Sequence, residues 1–139
     1  MIQIIAGEKG KGKTKYLLEL ANKAIKSANG NIVYLDKSKK HMYELNNKIR
    51  LIDVTEFKLL NCDEFVGFLA GILSQDHDLE EMYFDSFLTI SALEDEQISQ
   101  IIDRLDFISE KYHVKFVLSI SKKKEEMPDG LKDKVIASL

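Results

Sequence analysis

A glycine-rich loop near the N-terminus constrains the fold of this chain more than any other feature of its sequence. The loop occupies residues 7–14 and follows an isoleucine-rich run at positions 2–6, which is typical of a short buried strand. Behind the loop, apolar residues recur at the spacing of one face of a helix. These residues are Leu17, Leu18, Ala21, Ala24, Ile25 and Ala28. The order strand, loop, helix is typical of the first unit of a parallel α/β sheet.

The rest of the chain alternates between short apolar runs and amphipathic stretches, without internal repeats or low-complexity segments. That alternation is typical of a three-layer α/β domain with a mainly parallel sheet, and we expect about four to five strands. The 139 residues fit a single domain over residues 1–139. After the first strand, further strands are predicted at residues 32–35, 49–54, 82–84 and 114–120.

Helix boundaries follow from capping patterns and from glycine. Asn61 and Glu64 predict a capping box before the second helix, and Ser91 and Glu94 predict another before the third. Gly30, between two asparagines, has the chemistry that ends a helix, so we expect it to close the first one.

Charge and cysteine content exclude several classes of function. The formal net charge is −3, so no overall positive field attracts nucleic acid or anionic lipid. The single cysteine, Cys62, can form neither an internal disulfide nor a paired-cysteine zinc site. No stretch approaches the roughly 20 apolar residues of a membrane span, and the first residues lack the features of a signal peptide. We therefore expect a cytoplasmic protein without a membrane span.

The loop matches the pattern G-x-x-x-x-G-K-[ST] at every fixed position. Glycines let its backbone curl into a nest of N–H groups, and the helix that follows points its positive end at the same place. Both features bind phosphate. Lys13 is placed to reach the β- and γ-phosphates of a nucleotide, and Thr14 to hold Mg²⁺ through its hydroxyl. The residues predicted to bind the nucleotide are Gly7, Glu8, Lys9, Gly10, Lys11, Gly12, Lys13, Thr14 and Lys15.

A strand that ends in an acid supplies the second predicted contact to Mg²⁺. Proteins with such a loop hold the metal through an acidic residue at the end of a nearby strand. The apolar run at residues 82–84 leads into Asp85, about seventy residues after Lys13. The predicted cofactors are therefore ATP and Mg²⁺, with Thr14 and Asp85 as the metal-binding residues.

Together these motifs resemble a minimal RecA-like P-loop ATPase core of the ASCE type. More narrowly, the chain is similar to short bacterial ATP-binding proteins, some of which carry the label twitching motility protein PilT. The resemblance covers most of the chain and implies a P-loop fold that binds ATP. Asp85-Ser86 resembles the Asp-Ser pair that ends the metal-binding strand of such proteins. By the same resemblance, either Ser119 or Ser121 would be the polar sensor of the γ-phosphate.

The chain departs from that family at the positions that activate water. Many members carry a catalytic glutamate directly after the metal-binding aspartate or at the end of the second strand, where this chain has Ser86 and Asp36. Asp36 would then orient the attacking water, and Lys13 and Asp85 complete the predicted catalytic set. With two arginines in the chain, an arginine finger has few candidates. We expect hydrolysis by the isolated protein to be slow or absent.

The C-terminal part of the chain predicts little regular structure. Residues 122–130 are polar and predict a loop, and the apolar positions after them predict a short terminal helix. These positions are Leu131, Val135, Ile136 and Leu139. RecA-like sheets have a strand on the far side of the first strand, and a helix would leave that edge uncovered. An uncovered edge favours pairing with another chain, so we expect a homo-oligomer or a protein partner.

For several groups of lysines the sequence allows two alternative kinds of contact. Lys9 and Lys11 would each either contact phosphate or be solvated. The basic clusters formed by residues 37–41 and 122–124 would either bind nucleic acid or be solvated loops. A nucleic-acid partner therefore stays open.

The sequence favours an ATP- and Mg²⁺-binding protein with weak or partner-stimulated ATPase activity. The main alternative is a non-hydrolysing regulatory or adaptor module, because neither expected glutamate is present. A small-molecule kinase is less favoured, since such kinases use several arginines to clamp their substrates. GTP is disfavoured because the segment 47–50, Asn-Lys-Ile-Arg, lacks the final aspartate of the guanine-binding pattern.

Overall fold

The computed structural model describes residues 1–93 and 97–139, and this part of the chain forms a six-stranded sheet flanked by helices. The strands are β1 (Ile2–Ala6), β2 (Asn31–Asp36), β3 (Arg50–Asp53), β4 (Leu79–Phe84), β5 (Lys115–Ile120) and β6 (Val135–Ser138). The helices are α1 (Lys13–Ile25), α2 (Cys62–Gln75), α3 (Phe87–Ile90), α4 (Ile98–Tyr112) and α5 (Asp129–Lys132). Short 3₁₀ turns lie at Met42–Glu44, Val54–Phe57 and Lys124–Glu126. The predicted α/β class is confirmed.

The strands run in the order β3-β2-β4-β5-β1-β6, and every pairing in the described sheet is parallel. The register places Leu35 of β2 beside Phe84 of β4, and Ile5 of β1 beside Ser119 of β5. Because parallel strands share one direction, the carboxyl ends of β1, β2, β4 and β5 lie at the same edge of the sheet. The segments that follow these strands meet there.

Alternate side chains of the sheet enter two separate hydrophobic cores. On one face, Leu17 and Ala21 of α1 pack in a core with Tyr34, Tyr83 and Val117 of the sheet. On the other face, α2 and α4 cover a larger core. Side chains alternate along a strand, so the residues two positions after these three also point to the face that α1 covers. They are Asp36, Asp85 and Ser119. Those residues stand at the carboxyl edge, where the strands end.

The C-terminal residues form a strand, where the sequence predicted a helix. β6 pairs in parallel with β1, and the backbone N–H of Leu139 donates to the carbonyl of Ala6 at 2.8 Å. The helix prediction holds only at Leu131, which lies in α5, and it is wrong from Val135 on because pairing with the edge of β1 outweighs the local apolar spacing. The predicted loop at residues 122–130 is also partly wrong, since it contains a 3₁₀ turn and the start of α5.

The added strand corrects two further expectations. The sheet has six strands in the described chain, against the predicted about four to five. β1 is now paired on both sides, by β5 and β6, so the uncovered edge that motivated a homo-oligomer does not exist. The outer strands of the sheet are β3 and β6.

One predicted helix cap is confirmed in part. The Asn61 side chain accepts a hydrogen bond from the backbone N–H of Glu64 at 2.9 Å and caps α2. The Glu64 carboxylate accepts from the backbone N–H of Leu60 at 2.7 Å, one residue before the expected partner. The second predicted box pairs Ser91 with Glu94, and Glu94 lies outside the described residues. Ser91 itself ends α3 as its C-cap, and α4 begins at Ile98 with Gln97 as its N-cap, so the prediction that Ser91 begins the helix is wrong.

Gly30 allows two backbone segments to approach closely, whereas the sequence predicted that it ends a helix. α1 ends at Ile25, and Lys26 after it keeps a right-handed backbone. A Cβ atom at Gly30 would lie 1.9 Å from the carbonyl oxygen of Asp78. That same oxygen accepts a hydrogen bond from the backbone N–H of Asn31 at 2.7 Å. Glycine is therefore required because β2 begins directly against the turn before β4.

Replacing Gly30 with alanine should destabilise the fold. Gly30→Ala is expected to lower the free energy of unfolding by about 1–3 kcal/mol, because the new methyl group meets a backbone oxygen that cannot move aside. Gly67→Ala is the matched control, since Gly67 is exposed in α2 with no atom within 4 Å of its missing Cβ. The control should gain about 0.5–1 kcal/mol. Urea unfolding measures both, and equal midpoints for the two variants would contradict the close approach.

Candidate functional site

A cavity of about 590 Å³ opens at the carboxyl edge of the sheet. The segment after β1 contributes Lys9, Gly10, Gly12, Lys13 and Thr14. The ends of β2, β4 and β5, with the residues after them, contribute Asp36, Lys37, Ser38, Lys40, His41, Asp85, Ser86, Leu88, Thr89, Ser119 and Ser121. The parallel sheet therefore brings together polar residues that are far apart in the sequence.

The glycine-rich loop has an open, left-handed backbone beside this cavity. Gly10 and Gly12 have φ angles of 83° and 91°, in the region that favours glycine. A Cβ atom at either position would meet no atom within 4 Å, so conformation rather than crowding selects glycine there. Gly12 is also the N-cap of α1 and has no side chain to cap the helix. The first amides of α1 are therefore left for water or for a bound anion.

Gly7 lies against the C-terminal end of the chain and does not line the cavity. A Cβ atom at Gly7 would lie 3.0 Å from the carbonyl oxygen of Leu139. The backbone N–H of Gly7 donates to the carbonyl of Lys122 at 2.8 Å. Gly7 thus lets the residues after β5 and β6 close around the end of β1.

Lys13 is a buried cation at the floor of the loop. Its side chain is 8% exposed, and its ammonium donates to the carbonyl oxygen of Glu8 at 3.0 Å. Burial lowers the pKa of Lys13, and the negative charge of Asp85 opposes this shift. In the described part of the chain Lys13 forms no ion pair, so its charge is open to an anionic ligand.

The carboxylate of Asp85 accepts hydrogen bonds from three side-chain hydroxyls. Its Oδ1 accepts from Thr14 and from Ser119, each at 3.1 Å. Its Oδ2 accepts from the hydroxyl of Tyr34 at 2.8 Å. Asp85 is 2% exposed, and its backbone N–H donates to Leu35 at 2.9 Å. These bonds join the start of α1 to the ends of β2, β4 and β5 at a single carboxylate.

Asp36 is a second buried carboxylate, and it is only half satisfied. It is 2% exposed, and its Oδ1 accepts from the backbone N–H of Lys37 at 2.7 Å. Its Oδ2 is buried without a hydrogen-bond partner among the described residues. Burial, and secondarily the charge of Asp85, raise the pKa of Asp36 to about 6, while Lys37 and His41 oppose this shift. The free oxygen belongs to a residue that lines the cavity.

The two serines predicted as alternative sensors have different surroundings. Ser119 is buried, donates to Asp85 and accepts from the backbone N–H of Ser86 at 2.9 Å. Ser121 is exposed and lines the cavity. Ser86 itself has a left-handed backbone, with φ 54° and ψ 51°, at the start of α3. A non-glycine residue in this region carries strain, which is common where a side chain or a turn has to be aimed.

Four of the residues predicted to bind nucleotide lie outside the cavity lining. Besides Gly7, these are Glu8, Lys11 and Lys15. Glu8 contributes its carbonyl to Lys13, and its carboxylate lies 3.6 Å from the ammonium of Lys123. Lys11 is exposed, whereas Lys9 lines the cavity, so the structure separates two lysines that the sequence left equivalent.

Tyr34 is a site residue that the sequence did not predict. By residue type it is an ordinary strand residue, yet its hydroxyl reaches Asp85. The signal was its position two residues before Asp36, because alternate residues of a strand share a face. Leu88 and Thr89 were also missed, since the sequence gave no indication of α3.

The basic clusters divide between the cavity and the surface. Lys37, Lys40 and His41 line the cavity, whereas Lys39 forms an ion pair with Glu56 at 2.9 Å. Neither arginine lines the cavity. Arg104 binds Asp63 at 2.7 Å, and Arg50 is exposed at the start of β3. The positive charge facing the cavity therefore comes from lysines.

Two comparisons with known proteins bear on this chain, one with protein-family models and one with curated proteins. No protein-family model matches it, and neither does any curated protein. Among the helices of residues 1–93 and 97–139, none has the length and apolar character needed to cross a membrane.

Asp36 should make the protein less stable as the pH rises through about 6. Its folded-state pKa lies above its ordinary value, so the folded protein binds the proton more tightly. The stabilisation is complete below the unfolded-state pKa and is lost as the pH rises through the folded-state value. Asp36→Asn removes this titration. As the pH is raised from acid to neutral, the free energy of unfolding of Asp36→Asn should rise relative to that of wild type by on the order of 1–3 kcal/mol.

Urea unfolding at about pH 4.5 and 7.5 measures this change. Asp53→Asn is the matched control for the loss of a carboxylate at this edge, because Asp53 lies opposite Asp36 in β3. A difference between Asp36→Asn and wild type that stays constant with pH would contradict the raised pKa of Asp36.

Proposed function

We propose that this chain binds a nucleoside triphosphate, ATP, together with Mg²⁺ in the cavity at the carboxyl edge of its sheet. The observation that carries the proposal is the start of α1. There an open left-handed glycine loop and an uncapped helix N-terminus meet the buried Lys13, whose ammonium forms no ion pair with a described residue. Each of the three attracts an anion, and together they suit the phosphates of a nucleotide.

The charge lining the cavity supports a polyanionic ligand. Four lysines line it: Lys9, Lys13, Lys37 and Lys40. Two carboxylates, those of Asp36 and Asp85, face them. The surplus of positive charge complements a triphosphate, while the aspartates offer oxygen atoms to a metal that accompanies it.

Thr14 and Asp85 fit a Mg²⁺ ion by their chemistry. Both present oxygen atoms, the donors that Mg²⁺ prefers, and these atoms lie 3.1 Å apart in a hydrogen bond. Bound Mg²⁺ would neutralise part of the phosphate charge. Among the described residues no group of three or more His, Cys, Asp or Glu side chains could hold a metal. The nucleotide and water would therefore supply the remaining ligands.

Within this proposal, a weak or partner-stimulated ATPase of the RecA-like class is the function we favour. Asp36 supports it, because this residue lines the cavity and its Oδ2, which has no partner among the described residues, can accept a hydrogen bond from water. Its pKa of about 6 also suits a group that accepts a proton near neutral pH. Of the two serines that the sequence left as alternatives, Ser121 is the better sensor candidate, since it is exposed and lines the cavity whereas Ser119 is bonded to Asp85.

A non-hydrolysing nucleotide-binding module is the second candidate. It is favoured because the residue after Asp85 is a serine and because neither arginine lines the cavity. The missing arginine equally weakens the proposal of a small-molecule kinase. In this second function, bound nucleotide would change the conformation of the segments that line the cavity and so signal to a protein partner.

Nucleotide binding should depend on Lys13. Calorimetric titration of wild type with ATP, ADP and GTP, each with Mg²⁺, is expected to give binding of the adenine nucleotides. Lys13→Ala should weaken it about 10- to 100-fold, because the charge-assisted contact to phosphate is lost. Lys11→Ala is the matched control, since Lys11 is an exposed lysine of the same loop outside the cavity. Absence of wild-type binding at millimolar nucleotide would refute the proposal.

Phosphate release separates the two candidate functions. If the protein is an ATPase, release by wild type should be well below the ~10 per second typical of enzymes, because no arginine or glutamate assists the reaction. Asp36→Asn should abolish the release and keep nucleotide binding. Equal rates in wild type and Asp36→Asn would exclude the proposed role of Asp36. Binding without any release by wild type would support the non-hydrolysing module.

A further inference from the structure

Tyr34 is a buried strand residue whose hydroxyl reaches the candidate site through Asp85. It is 0% exposed in β2 and does not line the cavity. Its hydroxyl donates to Oδ2 of Asp85 at 2.8 Å. Burial and the nearby charge of Asp85 raise the pKa of Tyr34 far above its usual value. In this bond the hydroxyl of Tyr34 is the donor and the carboxylate of Asp85 is the acceptor.

The hydrogen bond from Tyr34 fixes the orientation of the Asp85 carboxylate. Oδ2 is held by Tyr34, which leaves Oδ1 directed at the hydroxyls of Thr14 and Ser119. Rotation about the last side-chain bond of Asp85 would break the contact with Tyr34. The oxygen beside Thr14 is thus oriented before any ligand arrives.

Tyr83 shows that packing alone does not require this contact. Tyr83 lies beside Tyr34 in the sheet, and the two rings stack with centroids 6.2 Å apart. Tyr83 is 1% exposed, and its hydroxyl also donates to a carboxylate, that of Glu81, at 2.8 Å. Glu81 does not line the cavity. The two tyrosines therefore share face, burial and type of hydrogen bond, and they differ in the carboxylate that each one holds.

We propose that Tyr34 is a positioning residue, whose hydroxyl orients the Asp85 carboxylate so that Oδ1 faces Thr14 and the glycine-rich loop. The inference rests on the proposed binding of a Mg²⁺–nucleotide at Asp85 and Thr14. Residues that hydrogen-bond to metal ligands fix the orientation of those ligands, and losing one typically lowers metal affinity about 10- to 100-fold. Tyr34 would act in this way through Asp85, without touching the nucleotide.

Tyr34→Phe and Tyr83→Phe test this proposal as a matched pair. Calorimetry measures the affinity for ATP in excess EDTA and at increasing Mg²⁺ concentrations. In Tyr34→Phe, the Mg²⁺ concentration that gives half of the metal-dependent gain in affinity should rise about 10- to 100-fold. Its affinity for ATP in EDTA should equal that of wild type. Tyr83→Phe should match wild type in both measurements.

A purely structural role of Tyr34 predicts a different result. Each variant loses one hydrogen bond to a carboxylate, which is buried for Tyr34 and part-buried for Tyr83, so both urea midpoints should fall, and that of Tyr34→Phe further. If Tyr34→Phe loses stability and keeps the wild-type Mg²⁺ dependence, the positioning role is overturned and the proposed function stands. If wild type binds no nucleotide with or without Mg²⁺, the proposed function fails and the inference fails with it.

Discussion

The parallel register of β2, β4, β5 and β1 is the constraint on which the rest of the site depends. Because the strands run in one direction, their carboxyl ends meet at one edge. Because side chains alternate, Asp36, Asp85 and Ser119 all point to the face that α1 covers. α1 brings Thr14 to the same edge, and the hydroxyl of Thr14 donates a hydrogen bond to Asp85. A shift of one strand by one residue would turn its polar group into the opposite core.

The two buried aspartates at this edge of the sheet differ in how fully their carboxylate oxygens are hydrogen-bonded. Asp85 receives hydroxyl bonds at both oxygens, so its burial is compensated. Asp36 keeps one oxygen without a partner in the part of the chain that the structure describes, and burial raises its pKa to about 6. Ser86, directly after Asp85, adds a left-handed backbone at the start of α3. Unsatisfied and strained groups that gather around a cavity lower stability, and they are common where a protein reserves contacts for a ligand.

Much of the fold and part of the site could be predicted because they follow from local pattern. The loop at residues 7–14, the strand that ends at Asp85 and the acid at Asp36 were all visible in the sequence. Tyr34, by contrast, resembles any aromatic strand residue until β4 lies beside it. β6 was missed because a four-residue strand has too few side chains to outweigh a helical spacing, and only the edge of β1 selects it.

The sequence by itself determined the α/β class, the conformation of the glycine-rich loop and the chemical types of the candidate site residues. These depend on local backbone sterics and on side-chain period, which need no distant partner. Only the tertiary structure decided the strand order, the separate environments of Asp36 and Asp85, and the contact between Tyr34 and Asp85. Those features depend on which strands become neighbours. Contacts between residues 51 positions apart, such as Tyr34 and Asp85, leave no periodic trace in a single sequence.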